Sequence, residues 1–153
     1  MTKQAKSGRN VENRSAQTVA VKIREIMDGM EMVDDQTTVY YDTKTGQLIL
    51  DCDASYGLNE VSSEELANNK RYLQLPDRFE INEYHMVEAF IADQSEENAN
   101  RLFRAIQGRG AFRRFKDLID ELGLSEAWYE FRENCYRDRA VRWCLGNDLK
   151  YEG

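Results

Sequence analysis

Thr37-Thr-Val-Tyr-Tyr-Asp-Thr-Lys-Thr-Gly-Gln-Leu-Ile-Leu-Asp-Cys52 is the stretch on which the fold class turns. β-Branched and aromatic residues fill its first five positions. Asp42-Thr-Lys-Thr-Gly46 supplies turn formers, and Leu48, Leu50 and Cys52 alternate on the return. Residues 37–52 therefore read as a β-hairpin in a chain whose other periodic segments are mostly helical. Two strands alone are marginal in water, so a third strand or a helix has to support them. Tyr72, Leu73 and Leu75 lead to Pro76, the single proline, which keeps the residue before it extended, and a short strand beside the hairpin is expected there. The expected fold is α+β: a small antiparallel sheet, the hairpin with a third strand, packed by about five helices.

Upstream of the hairpin, Val21-Lys22-Ile23 alternates like a short strand. Ile26, Met27, Met30 and Met32 then mark a short helix that Gly29 interrupts, and methionines in this pattern serve as core filler. Downstream, Ser62-Ser-Glu-Glu65 has capping-box spacing and opens a short helix through about Lys70. Asn82 and Ser95 are side-chain caps for two further helices. The first turns Met86, Val87, Phe90 and Ile91 inward. The second turns Ala99, Leu102, Phe103 and Ile106 inward and leaves Arg101 and Arg104 outside. After Gly123, Ser125 opens the longest helix, to about Leu145, with Gly146-Asn147 as its stop. Its apolar side drifts from Trp128, Phe131 and Cys135 to Tyr136, Ala140, Trp143 and Cys144, a stripe wide enough to meet several elements.

Before that long helix comes Ala105-Ile-Gln-Gly-Arg-Gly-Ala-Phe-Arg-Arg-Phe-Lys-Asp117, a basic stretch in an acidic protein. Gly108 can end one helix in the left-handed conformation, and Gly110 allows tight backbone geometry. From Ala111, Phe112, Phe115, Leu118, Ile119 and Leu122 recur at helical spacing, so one face is expected to be buried. Arg109, Arg113 and Lys116 fall beside that face and Arg114 on its other flank. The plain reading is a set of internal salt bridges, Arg113 holding Asp117 and Lys116 holding Asp120. The order of the charges argues for more. Cations in the first turns, with Asp117, Asp120 and Glu121 in the last, oppose the helix dipole, and each misplaced charge forfeits about 0.3–1 kcal/mol. Free N–H groups at a helix start, with glycines and arginines around them, also make an anion site. The candidate anion- or partner-binding residues are Arg101, Arg104, Gly108, Arg109, Gly110, Arg113, Arg114 and Lys116.

The 153 residues make one domain's length, and residues 21–153 are expected to form a single globular domain. Residues 1–20 are polar and aperiodic and are expected to be a disordered basic tail. They hold Lys3, Lys6, Arg9 and Arg14 against Glu12, so of the net charge of -7 the remainder carries -10. That balance favours solubility and disfavours non-specific nucleic-acid binding. No apolar run approaches the roughly 20 residues of a membrane span, and the N-terminus has no secretory h-region, so neither membrane nor export is expected. Cys52, Cys135 and Cys144 are odd in number and suit a reducing cytoplasm. Cys135 and Cys144 share a helix with roughly 13 Å of rise between them, too far for a bridge.

No reaction signature is present. His85, the single histidine, has no metal-ligand spacing around it and lies in a first helical turn. No Ser–His or Cys–His pair has supporting spacing, and Gly108-Arg-Gly110 lacks the gap and the ending of a phosphate loop. Residues 51–59 alternate oxygen side chains like a calcium loop. Tyr56 and Ser62 stand where that loop needs glycine and glutamate, so the segment reads as an ordinary loop. No cofactor or metal is expected. Trp128, Tyr129, Tyr136 and Trp143 could stack bases, but a helical aromatic stripe is usually core.

Gly29-Met-Glu-Met32, Thr45-Gly46, Leu75-Pro76, Phe79-Glu-Ile-Asn-Glu-Tyr84, Ala105 to Lys116, Trp128-Tyr129 with Phe131, and Trp143-Cys144 occur in one order. Over residues 21–152 they resemble Uncharacterised Protein Family zero-one-five-eight, a set of small, mostly bacterial proteins. The run from Gly108 to Phe115 is the most specific part. The resemblance implies a single domain and transfers no activity, cofactor or catalytic residue. By elimination, the expected function is a non-catalytic cytoplasmic interaction or regulatory protein with a protein partner. The alternative is binding of a phosphate, nucleotide or nucleic acid at the basic Gly-Arg-Gly helix start. An enzyme would need a cleft lined by perturbed carboxylates or His85. A mimic of nucleic acid would need its acids in two spaced rows.

Overall fold

A computed structural model describes residues 19–52 and 59–153. The expected tail up to residue 18 and residues 53–58 of the loop lie outside the described residues. In chain order the elements are β1 (Val21–Lys22), α1 (Ile23–Glu31), β2 (Thr37–Asp42), β3 (Leu48–Cys52), α2 (Ser63–Asn68), β4 (Tyr72–Gln74) and the single turn α3 (Arg78–Ile81). They continue with α4 (Glu83–Ala92), α5 (Glu96–Ala105), α6 (Ala111–Glu121), α7 (Ser125–Gly146) and β5 (Tyr151–Glu152). The fold is α+β. The described chain divides into two compact units: residues up to Ile81 with Tyr136–Gly153, and Asn82–Cys135.

The first unit is organised on the hairpin. β2 is the central strand of a three-stranded antiparallel sheet in the order β3-β2-β4, with Tyr40 opposite both Ile49 and Gln74. β4 is thus the support that a lone hairpin would lack. Val39, Tyr40, Tyr41 and Asp42 are buried in succession because both faces of this strand are covered. On one face Val39 lies under Gly29 of α1, and Tyr41 meets Trp143 edge-on at 6.0 Å. On the other, Tyr40 packs with Leu66 and Tyr72, flanked by Ile49 and Val61. A second, parallel pair joins β1 to β5, Val21 opposite Tyr151, and the Val21 N–H donates to the Lys150 carbonyl at 2.8 Å.

Gly29 does not interrupt α1, contrary to the sequence reading. It lies inside the helix where α1 packs closely on Leu48 and Leu75: a Cβ would sit 2.7 Å from Leu48 Cδ1 and 2.8 Å from Leu75 Cδ2, so both leucine ends would have to shift. Met27 and Met30 are core residues, whereas Met32 follows the last helical residue and is exposed. The expected cap of α2 forms, Ser62 Oγ accepting from the Glu65 N–H at 3.1 Å. The helix stops at Asn68, before Lys70, because Asn69 is already extended toward β4.

The second unit is helical around a ring cluster. Phe115 meets Trp128 at 5.0 Å, and Phe90 meets Trp128 at 5.4 Å and Phe131 at 5.6 Å. Asn82, left-handed at φ 50°, caps α4 by accepting from the His85 N–H, and Ser95 caps α5 by accepting from that of Asn98. Met86, Val87, Phe90 and Ile91 all face inward as expected. Two inward assignments fail: Phe103 and Phe112 are 38% and 42% exposed, while Leu102, Ile106, Phe115 and Ile119 fill the core of α5 and α6.

Candidate functional site

The basic stretch forms the junction of two helices. α5 ends at Ala105, Gly108 and Gly110 both take positive φ (78° and 73°), and α6 restarts at Ala111 with Gly110 as its N-cap. Glycine supplies no side chain, so α6 begins without a side-chain cap and without an acidic residue in its first turn. A helix start of that kind presents partial positive charge to solvent.

The six cations among the candidate residues divide into three groups, and Gly108 and Gly110 form the turn between them. Arg101 is half-buried and bonds Glu121, Nη2 to Oε2 at 2.9 Å, tying α5 to the end of α6. Arg114 is fixed by carbonyls rather than carboxylates: its Nε donates to Ala105 O at 2.7 Å and its Nη2 to Gln107 O. Ala105 is the last residue of α5 and Gln107 follows its C-cap, so Arg114 sits at the negative end of α5, which explains why a cation in the first turn of α6 is stable there. Gly110 assists, since a Cβ on it would press on Arg114 Nη1 at 3.1 Å. Arg104, Arg109, Arg113 and Lys116 are exposed and have no ion pair or hydrogen-bonded side-chain partner among the described residues. The expected pairs of Arg113 with Asp117 and Lys116 with Asp120 do not form, because extended cations in water gain only about 0–1 kcal/mol from such contacts.

An aromatic pair beside the junction was not anticipated. Tyr84 and Phe112 meet edge-on at 6.3 Å, and the Tyr84 hydroxyl donates to Ile106 O at 3.4 Å. With Phe103 they set exposed aromatic surface next to exposed arginines. The helical period of Phe112 signalled burial, and only its position in the first turn of α6 leaves it outside.

The first unit holds the buried acid of the described residues, Asp42, 4% exposed. Arg71 grips it with two bonds, Nε to Oδ1 and Nη2 to Oδ2, both 2.8 Å, and the Lys44 N–H adds a third at 2.9 Å. Burial pushes the carboxyl upward, but the Arg71, Lys44 and Thr45 hydrogen bonds and the Arg71 charge outweigh it, leaving the pKa at about 2. The hairpin turn was legible from Asp42, but its partner 29 residues away was not. An acid this low cannot exchange protons near neutrality, so Asp42 is a structural anchor.

His85 is exposed, with Nδ1 3.9 Å from Glu88 Oε1. Burial pushes the Cys144 thiol up to about 11, which removes its nucleophilic form at neutral pH. None of Cys52, Cys135 and Cys144 forms a disulfide. Among the described residues no three His, Cys, Asp or Glu side chains are grouped to hold a metal, and no helix is long and apolar enough to cross a membrane.

The model of the Uncharacterised protein family (UPF0158) matches residues 16–152, starting slightly before Val21, and the chain belongs to that family. No curated protein and no solved structure matches it.

Proposed function

We propose that this member of the family is a non-catalytic interaction or regulatory protein of the cytoplasm, which docks an acidic protein partner on the α5–α6 junction. One observation carries the reading: in a chain of net charge -7, Arg104, Arg109, Arg113 and Lys116 stay exposed and unpaired around an uncapped helix start. Arginine and aromatic side chains are the types enriched in interface cores, and Phe103, Phe112 and Tyr84 supply the aromatic share beside them.

The test is co-purification from the host with wild type and with the Arg109→Glu, Arg113→Glu variant, followed by mass spectrometry. A protein retained by wild type and lost from the variant supports the reading. Identical partners on both, or none, overturn it.

A second reading, a phosphate, nucleotide or nucleic-acid site, is favoured by the left-handed glycines and the uncapped start of α6. It requires RNA, DNA or nucleotide affinity that falls with salt and with Arg113→Ala. Titration with labelled RNA, DNA and nucleotides at two ionic strengths decides it, and no binding at low salt ends it.

A further inference from the structure

The first unit contains a hollow that the reading above does not use. A half-open cavity of about 720 Å³ is lined by Lys44 of the hairpin turn, Lys70 and Arg71 before β4, Leu73 of β4, and Asn147 and Asp148 after α7. Its size lies within the range of small-molecule sites.

Three cations converge there, and they differ in kind. Arg71 is held by its two bonds to Asp42 and by the Tyr72 ring 5.1 Å from its guanidinium carbon. Its Nη1 donors are left without a partner among the described residues. A guanidinium fixed in this way loses little rotamer freedom on meeting an anion. Lys44 and Lys70 are exposed, have no ion pair among the described residues, and can close on a bound group from the rim.

Another part of the lining accepts hydrogen bonds. Asn147 Nδ2 donates to Trp143 O at 2.9 Å, so the amide oxygen remains available, and Asp148 is set in the left-handed conformation at φ 57°. Leu73 and Leu149 add apolar surface to the lining. We propose that the cavity binds a small organic oxyanion, a phosphate monoester or a carboxylate, whose other end carries hydroxyl or amino donors. The anion meets Arg71, Lys44 and Lys70, and the donors meet Asn147 and Asp148. A bare phosphate ion would engage only the cationic wall.

The experiment is an NMR titration of the full ¹⁵N-labelled chain at low ionic strength. Four probes are added separately: adenosine monophosphate, adenosine, glutamate and inorganic phosphate. Adenosine monophosphate, glutamate or both are expected to shift the amides of Lys44, Lys70–Leu73 and Asn147–Leu149, with inorganic phosphate weaker and adenosine silent. Whichever binds tighter identifies phosphate or carboxylate as the preferred oxyanion. The Lys44→Gln, Lys70→Gln variant, whose replaced side chains are exposed and unpaired, is expected to fold normally and bind about tenfold more weakly. The inference is overturned if neither organic anion moves these amides, if adenosine binds as well as its phosphate, if the double variant binds unchanged, or if shifts appear only on α5 and α6.

Discussion

Asp42→Asn keeps the shape of the side chain and removes its charge from the grip of Arg71. The carboxyl has its folded pKa at about 2, against 3.8 for the unrestrained group. A difference of nearly two units, at about 1.4 kcal/mol each, corresponds to about 2 kcal/mol of stability carried by the ionised form. Because the folded value is the lower one, this contribution is fully present above pH about 3.8 and is lost as pH falls through about 2. The variant is therefore expected to be about 2 kcal/mol less stable than wild type at pH about 6, and the two should converge toward pH about 2. The Asn oxygen still accepts from the Lys44 N–H, so the turn itself should survive. Native-state hydrogen exchange at the amides of β2 and β4 reports the stability of the sheet that the pair secures. It also isolates this effect from the titration of other carboxylates when both proteins are followed over the same pH range. A gap between them that stays constant down to pH about 2, or no gap at pH about 6, would refute the assignment of the buried charge.

Gly29→Ala is expected to lower thermal stability by about 1–3 kcal/mol through overpacking against Leu48 and Leu75, despite a helix-propensity gain of about 1 kcal/mol; an unchanged melting temperature would show that both leucines yield freely. Phe115→Ala, which empties the centre of the ring cluster, should cost about 3–5 kcal/mol in urea denaturation. Phe79→Ala, by contrast, should change stability by no more than about 0.5 kcal/mol, because Phe79 is 91% exposed. A large loss from Phe79→Ala would mean that its ring is buried in solution.

Local signals were legible where one segment carries its own cause. The hairpin, the caps at Ser62, Asn82 and Ser95, the restart at Ala111 and the inward face of α4 each depend on side chains within a turn of one another. What escaped depends on distance in the chain. β5 is two residues long and carries no alternation, and it exists because β1 offers it a parallel edge. Gly29 looked like a helix breaker because the side chains that crowd it come from Leu48 and Leu75. The partner of Asp42 is Arg71, and the cavity beside it is assembled from a turn, a strand connection and the chain after α7. No periodicity within one element encodes such a site.

The charge order of α6 shows the same division in one place. Taken alone, a helix with arginines in its first turn and acids in its last forfeits dipole energy at each of those charges. The helix is not alone: the turn from Ile106 to Gly110 brings the carbonyl end of α5 against its start, and Arg114 belongs energetically to that end. Arg101, likewise, answers Glu121 across the pair of helices. Two of the cations thus stabilise the junction itself. Arg104, Arg109, Arg113 and Lys116 remain, Arg109 between two left-handed glycines and Arg113 two positions past the restart, all four exposed and without an ion pair among the described residues. The fold has used the arginines that could reach its own polar ends and left outward those that could not. On this surface the engagement of a cation is therefore decided by the internal acceptors within its reach, not by the sign of its charge.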